Sequence, residues 1–181
     1  AAGPQVVEGW HGVAYGRPMT RTKEYIEIMQ KIFNREAPVE HEGFHYSMPY
    51  SAEDGTGLGK PLKSILQADP SIKIYTASIT PKGLETSAEV ADGVFPIWMS
   101  PEKSNVLMSS IQKGLDKGGK TMMDFDVAPF VTVVIGDDVD HCRMPIKGSM
   151  ALYIGGMGAR ENNFYNDYAK ALGYEEAAAK I

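Results

Sequence analysis

Apolar positions along the chain change their period twice. Residues 3–18 show no sustained period and are rich in glycine and proline, which predicts a long loop. Thr20 is a candidate N-cap, and Tyr25, Ile28, Met29, Ile32 and Phe33 then recur at helical spacing to about Asn34. Glu27 and Lys31 stand four apart on the outer side as a supporting ion pair. Pro38 closes this region; Gly43 marks a turn, and Phe44 and Tyr46, two apart, predict extended chain over 38–50. Ser51 to Pro61 is a glycine-rich loop.

The second half alternates strand and helix. Ile72 to Ala77 is a short run with β-branched residues and predicts a buried strand. A helix carrying Leu84, Ala88 and Ala91 follows, closed by Asp92-Gly93. Val94 to Met99 is a second strand, and Val106, Leu107, Ile111 and Leu115 line the next helix until Gly118-Gly119. Phe125 to Ile135 is a third strand. Both helices open on a hydroxyl and a proline, Thr80-Pro81 and Ser100-Pro101, the pattern of a capping side chain and a first-turn proline. Repeated strand–helix units of this length imply an α/β fold with parallel strands. Asn162 to Leu172 reads as a last helix with Tyr165, Tyr168, Ala169 and Leu172 inward, and Glu175 to Ile181 stops inside a helix-like pattern. Three strands are too few for a closed barrel, which uses about eight strands and typically ~250 residues.

Composition narrows the functional classes. The 181 residues are 43% hydrophobic and 23% charged with a net charge of −5, an ordinary globular balance that argues against a dedicated nucleic-acid binder. No apolar run reaches the ~18 residues of a membrane span. One cysteine, Cys142, excludes an internal disulfide; with no signal segment, the expected compartment is the cytoplasm. The absence of an initiator Met and of a terminal cap leads to the expectation that this is an excerpt of a longer chain.

Several motifs suggest chemistry and most are rejected. His41-Glu42-Gly43-Phe44-His45 has the letters of a zinc-protease motif, but that motif needs a helix, and Pro38 and Gly43 point to strand and turn. In an extended strand the imidazoles would lie ~13 Å apart, so the expected reading is a partly exposed hairpin and no metal. Gly55 to Lys60 departs from a phosphate loop, because Asp54 and Pro61 stand where glycine and Ser/Thr are needed. Gly155-Gly156-Met157-Gly158 lacks the spacing of a dinucleotide fingerprint and marks a sharp break; Arg160 after it is an anion ligand or a solvated surface arginine. Cys142, His141 and Arg143 are neighbours in sequence and form no catalytic pair.

The loop Ala77 to Gly83 withstands these objections. It sits at the C-terminal end of an expected parallel strand, where α/β folds bind ligands. Ser78 and Thr80 offer hydroxyls, Gly83 allows close backbone approach, Lys82 adds charge, and the helix start favours an anion. An ordinary capped turn is the competing reading.

Larger stretches resemble a known family. Trp10-His11-Gly12, Tyr15-Gly16-Arg17-Pro18 and Thr22 to Ile28 are similar to the bacterial luciferase-like monooxygenase superfamily, in the branch of oxidoreductases that use the deazaflavin coenzyme F420. The same holds for Pro38-Val39 with Gly43 to Tyr46, for Pro81 to Leu84 with Ala88 to Gly93, and for Tyr153 to Arg160 with Asn163 to Asn166. The resemblance implies a (β/α)8 barrel of which residues 1–181 form one incomplete domain. The three strands would be its fifth to seventh, with the N-terminal strands and the last strand absent. It also implies hydride transfer between F420 and a small organic substrate. The alternatives are a flavin mononucleotide (FMN) monooxygenase and a non-catalytic barrel. Implied cofactor contacts are Ala77, Ser78, Ile79, Thr80, Lys82 and Gly83 near the phosphate, and Gly3, Pro4, Gln5 and Val7 near the ring or its chain. Trp10 and His11 would border the substrate, and no catalytic residue is assigned. The longest helix has an apolar face that suits a homodimer, as in many relatives, or the core.

Overall fold

A computed structural model describes residues 3–159 and 162–181, so Arg160 lies outside the described residues. The architecture is α/β, without a closed barrel among those residues. Strands β3 (Tyr75–Thr76), β4 (Gly93–Val94) and β5 (Asp126–Val127) form a parallel sheet in the order β3-β4-β5. Tyr75 lies opposite Gly93, and Gly93 opposite Asp126. Two crossover helices, α3 (Pro81–Val90) and α4 (Asn105–Gly118), cover one face.

The strands are much shorter than the apolar runs. Beyond the ladder, Phe130 donates to the Pro96 carbonyl, but Pro96 has no N–H to return to β5. Pairing therefore thins to the isolated bridge Ile97–Phe130. The expected strand to Ile135 does not continue: Val133 and Ile135 are 74% and 93% exposed. The accessible surface, 12219 Å², is well above the roughly 8,600 Å² of a compact chain of this mass. Many apolar side chains are accordingly exposed, among them Ile65, Met123, Val131, Val133 and Ile135.

The core lies between the sheet and its helices. Leu84 and Ala88 from α3, Val94 from β4, and Leu107, Ile111 and Leu115 from α4 are almost wholly buried. Small residues bring the two helices together: a Cβ on Gly114 would lie 2.1 Å from the Glu85 carbonyl oxygen and 2.8 Å from Ala88 Cβ. Thr80 caps α3 by accepting the Gly83 N–H at 3.2 Å. Ser100 does not cap; its hydroxyl bonds Glu102, and a 3-10 turn (Pro101–Lys103) precedes α4. Gly119 ends α4 at φ 64, a left-handed geometry that favours glycine.

The N-terminal part corrects several expectations. Residues 3–18 are not all loop, because Pro4 opens the short helix α1 (Pro4–Gly9). Helix α2 (Pro18–Asn34) starts at a first-turn proline, two residues before Thr20. Its buried positions are Glu24, Ile26 and Ile28; Ile26, Met29 and Phe33 pack with Ile74, Val90 and Ala91, and Tyr25 is 56% exposed. Lys31 does not pair with Glu27 but donates to the Glu40 carbonyl. Strands β1 (His41–Glu42) and β2 (Ser47–Met48) make an antiparallel hairpin.

After β5 comes helix α5 (Val139–Ala151), which carries Pro145 in its interior. The glycine break is a π-helical turn (Leu152–Gly156). Helices α6 (Phe164–Ala171) and α7 (Glu175–Ala179) close the described chain. Tyr168 and Leu172 join the main core, and Ala169 packs with Ile154 and Ala178. No helix among the described residues is long and apolar enough to cross a membrane.

Candidate functional site

Three parallel strands place their C-terminal ends on one rim, and the loop from β3 to α3 stands on it. Thr76 turns toward the helix layer and donates to the Ser87 hydroxyl, so the chain leaves the sheet at Ala77 firmly anchored. Ser78 then folds back over the helix start. A Cβ at Gly83 would fall 2.0 Å from Ser78 Oγ and 2.8 Å from Thr80 Oγ1, so only glycine admits this approach.

The donors at this helix start can be counted. Pro81 has no N–H, the Gly83 N–H is taken by Thr80 Oγ1, and the Leu84 N–H by the Thr80 carbonyl. The Lys82 amide remains in the first turn, and the Ser78 hydroxyl lies over Gly83. The helix dipole adds ~0.3–1 kcal/mol for an anion here. A phosphate fits this chemistry. The Lys82 ammonium lies 3.3 Å from Glu85, which Lys117 also engages. The hydrogen bond from Lys117 holds the Glu85 carboxyl below its ordinary range and raises the lysine above its own. Local positive charge is therefore partly spent within the protein.

The remaining candidates are dispersed. Gly3 lies beside Phe164 at the head of α6, while Pro4, Gln5 and Val7 belong to α1. Trp10 is 79% exposed, and His11 is exposed as well. Among the described residues no hydrogen bond ties any of these to the Ala77–Gly83 loop. The histidines of the rejected zinc motif have separate neighbours. His41 Nε2 is buried without a hydrogen bond, 3.7 Å from Glu24, whereas His45 Nε2 is 3.0 Å from the Arg17 carbonyl.

Two features have no plain signature in the sequence. One is Glu24, a buried carboxylate on α2 that accepts the backbone N–H groups of Phe44, His45 and Tyr46 at 2.8, 2.9 and 3.0 Å. Burial opposes its ionisation, but the three backbone bonds outweigh it and hold the carboxyl below the ordinary glutamate range. Its sequence signal is an acid four residues before Ile28 on a buried stripe. The other is Trp98, whose positive φ of 51 no sequence pattern announces.

The family model described as luciferase-like monooxygenase matches residues 1–181. A Mycobacterium tuberculosis protein, whose name places it among coenzyme F420-dependent oxidoreductases, is 40% identical over 185 residues, 99% of this chain and 53% of its own length. The 5,10-methylenetetrahydromethanopterin reductase of Archaeoglobus fulgidus is 28% identical over 156 residues, 86% of this chain and 43% of its own. The coenzyme F420-dependent tetrahydromethanopterin reductase of Methanopyrus kandleri superposes with a TM-score of 0.71 at 20% identity, covering 97% of this chain and 50% of that one. This chain therefore spans about half the length of these relatives.

Proposed function

The chain belongs to the luciferase-like monooxygenase family, and we propose that it supplies one cofactor-facing wall of a coenzyme F420-dependent oxidoreductase acting on a small organic substrate. In this reading β3, β4 and β5 are the fifth to seventh strands of a barrel whose other strands pair with the edges of β3 and β5. The bound deazaflavin supplies the hydride chemistry, and the protein's part is to bind, orient and exclude water.

The observation that carries the proposal is the loop after β3. A phosphate held there would take the Ser78 hydroxyl and the Lys82 amide, with Gly83 leaving room and Thr80 fixing the turn. Ala77 and Ile79 supply backbone on either side. Gly3, Pro4, Gln5 and Val7 are assigned to the ring or its chain, and Trp10 and His11 to the substrate border. The F420-named relative at 40% identity supports the deazaflavin over FMN.

The test is an equilibrium titration of the full-length protein with F420 and, separately, with FMN, followed by fluorescence. Binding of F420 in the micromolar range or tighter, with weaker FMN binding, is expected. Binding of neither sinks the proposal, and tight binding of FMN alone transfers it to flavin chemistry.

A further inference from the structure

His41, from the motif rejected as a zinc site, is a buried histidine that the proposed function does not use. Its side chain is 5% exposed and lies in the first strand of the hairpin, against α2. Nε2 has no hydrogen-bond partner among the described residues and stands 3.7 Å from Glu24 Oε2. Nδ1 stands 3.9 Å from Glu27 Oε2, one turn further along the same helix. Both separations are too long for hydrogen bonds but short enough for ion pairs. A neutral imidazole carries one N–H, so whichever nitrogen holds it, the other turns a lone pair toward a carboxylate. Only the imidazolium presents a donor to each.

Glu24 links this ring to the rest of the hairpin, because the same carboxylate accepts the N–H groups of Phe44, His45 and Tyr46 at the tip. The tip in turn grips the segment before α2. His45 Nε2 is 3.0 Å from the Arg17 carbonyl, and the Arg17 guanidinium sits 4.3 Å from the centre of the Phe44 ring. Gly43 keeps the middle of the arrangement open, since a Cβ there would fall 2.5 Å from His41 Nε2. Burial opposes ionisation of Glu24, but its three backbone bonds prevail and keep the carboxyl below its ordinary range. It is therefore anionic around the pH of about 6.5 at which histidines ordinarily titrate. Two lysines oppose a charge on His41: Lys31 on α2 is turned to the Glu40 carbonyl, and Lys63, beside the Val39–Leu62 bridge, is exposed to water. The other carboxylates of the hairpin, Glu40 and Glu42, are exposed, and Glu42 accepts the Ser47 hydroxyl.

We propose that His41 is a proton-operated latch: on taking a proton the ring pairs with Glu24 and Glu27 and seats the β1–β2 hairpin, with its grip on Arg17, more firmly on α2. The protonated ring places one positive charge between two negative ones, so the latch closes as pH falls through the His41 titration and is released as pH rises through it. Protonation of Glu24 at still lower pH opens it again, so protection of the hairpin passes through a maximum. The segment gripped through Arg17 carries Trp10 and His11, and the proton on His41 thereby reaches the border assigned to the substrate. The latch itself is independent of the oxidoreductase reading.

The experiment is a pH titration of the full-length protein by NMR. It follows the His41 ring nitrogens, identified by their loss in His41→Gln, and the hydrogen-exchange protection factors of the Phe44, His45 and Tyr46 amides. Protection is expected to rise about 10-fold as His41 takes its proton, the scale of one hydrogen bond to a charged group, while amides of α4 keep theirs. His41→Gln is expected to abolish the rise. Glu27→Gln, at a half-exposed position, is expected to reduce it and leave the three bonds to Glu24 in place. Should His41→Gln fail to fold, the Glu27→Gln comparison decides alone. The proposal is overturned if His41 takes no proton between about pH 8 and 5, if protection stays constant through its titration or follows His45 instead, or if either folded variant shows the full rise.

Discussion

Replacing Glu24 by glutamine tests how the hairpin is held to α2. The carboxylate accepts three consecutive N–H groups from the hairpin tip, and Gly43 leaves the space: a Cβ there would lie 2.5 Å from Glu24 Oε2. Glutamine has nearly the same shape but keeps one acceptor oxygen and turns an NH2 toward an N–H. Hydrogen bonds to a charged group contribute about 1.5–3 kcal/mol each, more than neutral ones. A local loss of about 2 kcal/mol follows, a roughly 30-fold change in an equilibrium constant. The assay is hydrogen exchange at Phe44, His45 and Tyr46. Glu24→Gln should accelerate these amides by about that factor if they exchange by local opening, while amides of α3 and α4 keep their rates. The pH dependence has a definite sign. Glu24 ionises at lower pH when folded than when unfolded, so its stabilisation is complete above the unfolded glutamate range and is lost as pH falls through the lower, folded one. Exchange unchanged within about twofold at all three amides would refute the reasoning.

Other substitutions probe the rest of the framework. Thr80→Ala removes the α3 cap and should cost about 1 kcal/mol, a melting decrease of ~2–4 °C that Thr80→Ser largely avoids; equal melting of all three proteins would contradict this. Gly114→Ala forces a methyl group against the Glu85 carbonyl and should destabilise by about 1–3 kcal/mol in urea unfolding; an unchanged midpoint would show that the helices separate freely. Asp126→Asn removes the carboxylate whose hydrogen bond raises the Tyr75 phenol, so an ultraviolet titration should show Tyr75 ionising at lower pH than in the unaltered protein.

Periodicity and capping residues carried the βα units well. Thr80, Pro81 and Asp92-Gly93 act locally, so their chemistry is legible without the rest of the fold. Strand lengths were not legible, because an apolar run such as Phe125 to Ile135 reads as strand whether or not a partner strand exists. Pro96 interrupts the β4–β5 ladder by a missing donor on the neighbouring strand, which no reading of residues 125–135 alone detects. Helix α5 is masked by Pro145 in its interior, and Glu24 by its residue type, which is rarely buried unless paired. The loop at Ala77 to Gly83 was legible because a hydroxyl cap, a first-turn proline and a glycine fall within seven residues. The contact of Trp98 with Tyr153 and Tyr165 was not, since these residues stand far apart in the chain and meet only through tertiary packing.

The most direct test of the central claim is a crystal structure of the full-length protein with F420 bound. The account predicts the cofactor phosphate at the loop after β3, within hydrogen-bond distance of Ser78 Oγ and the Lys82 amide. A phosphate held elsewhere, with this loop facing solvent or a neighbouring helix, would contradict it.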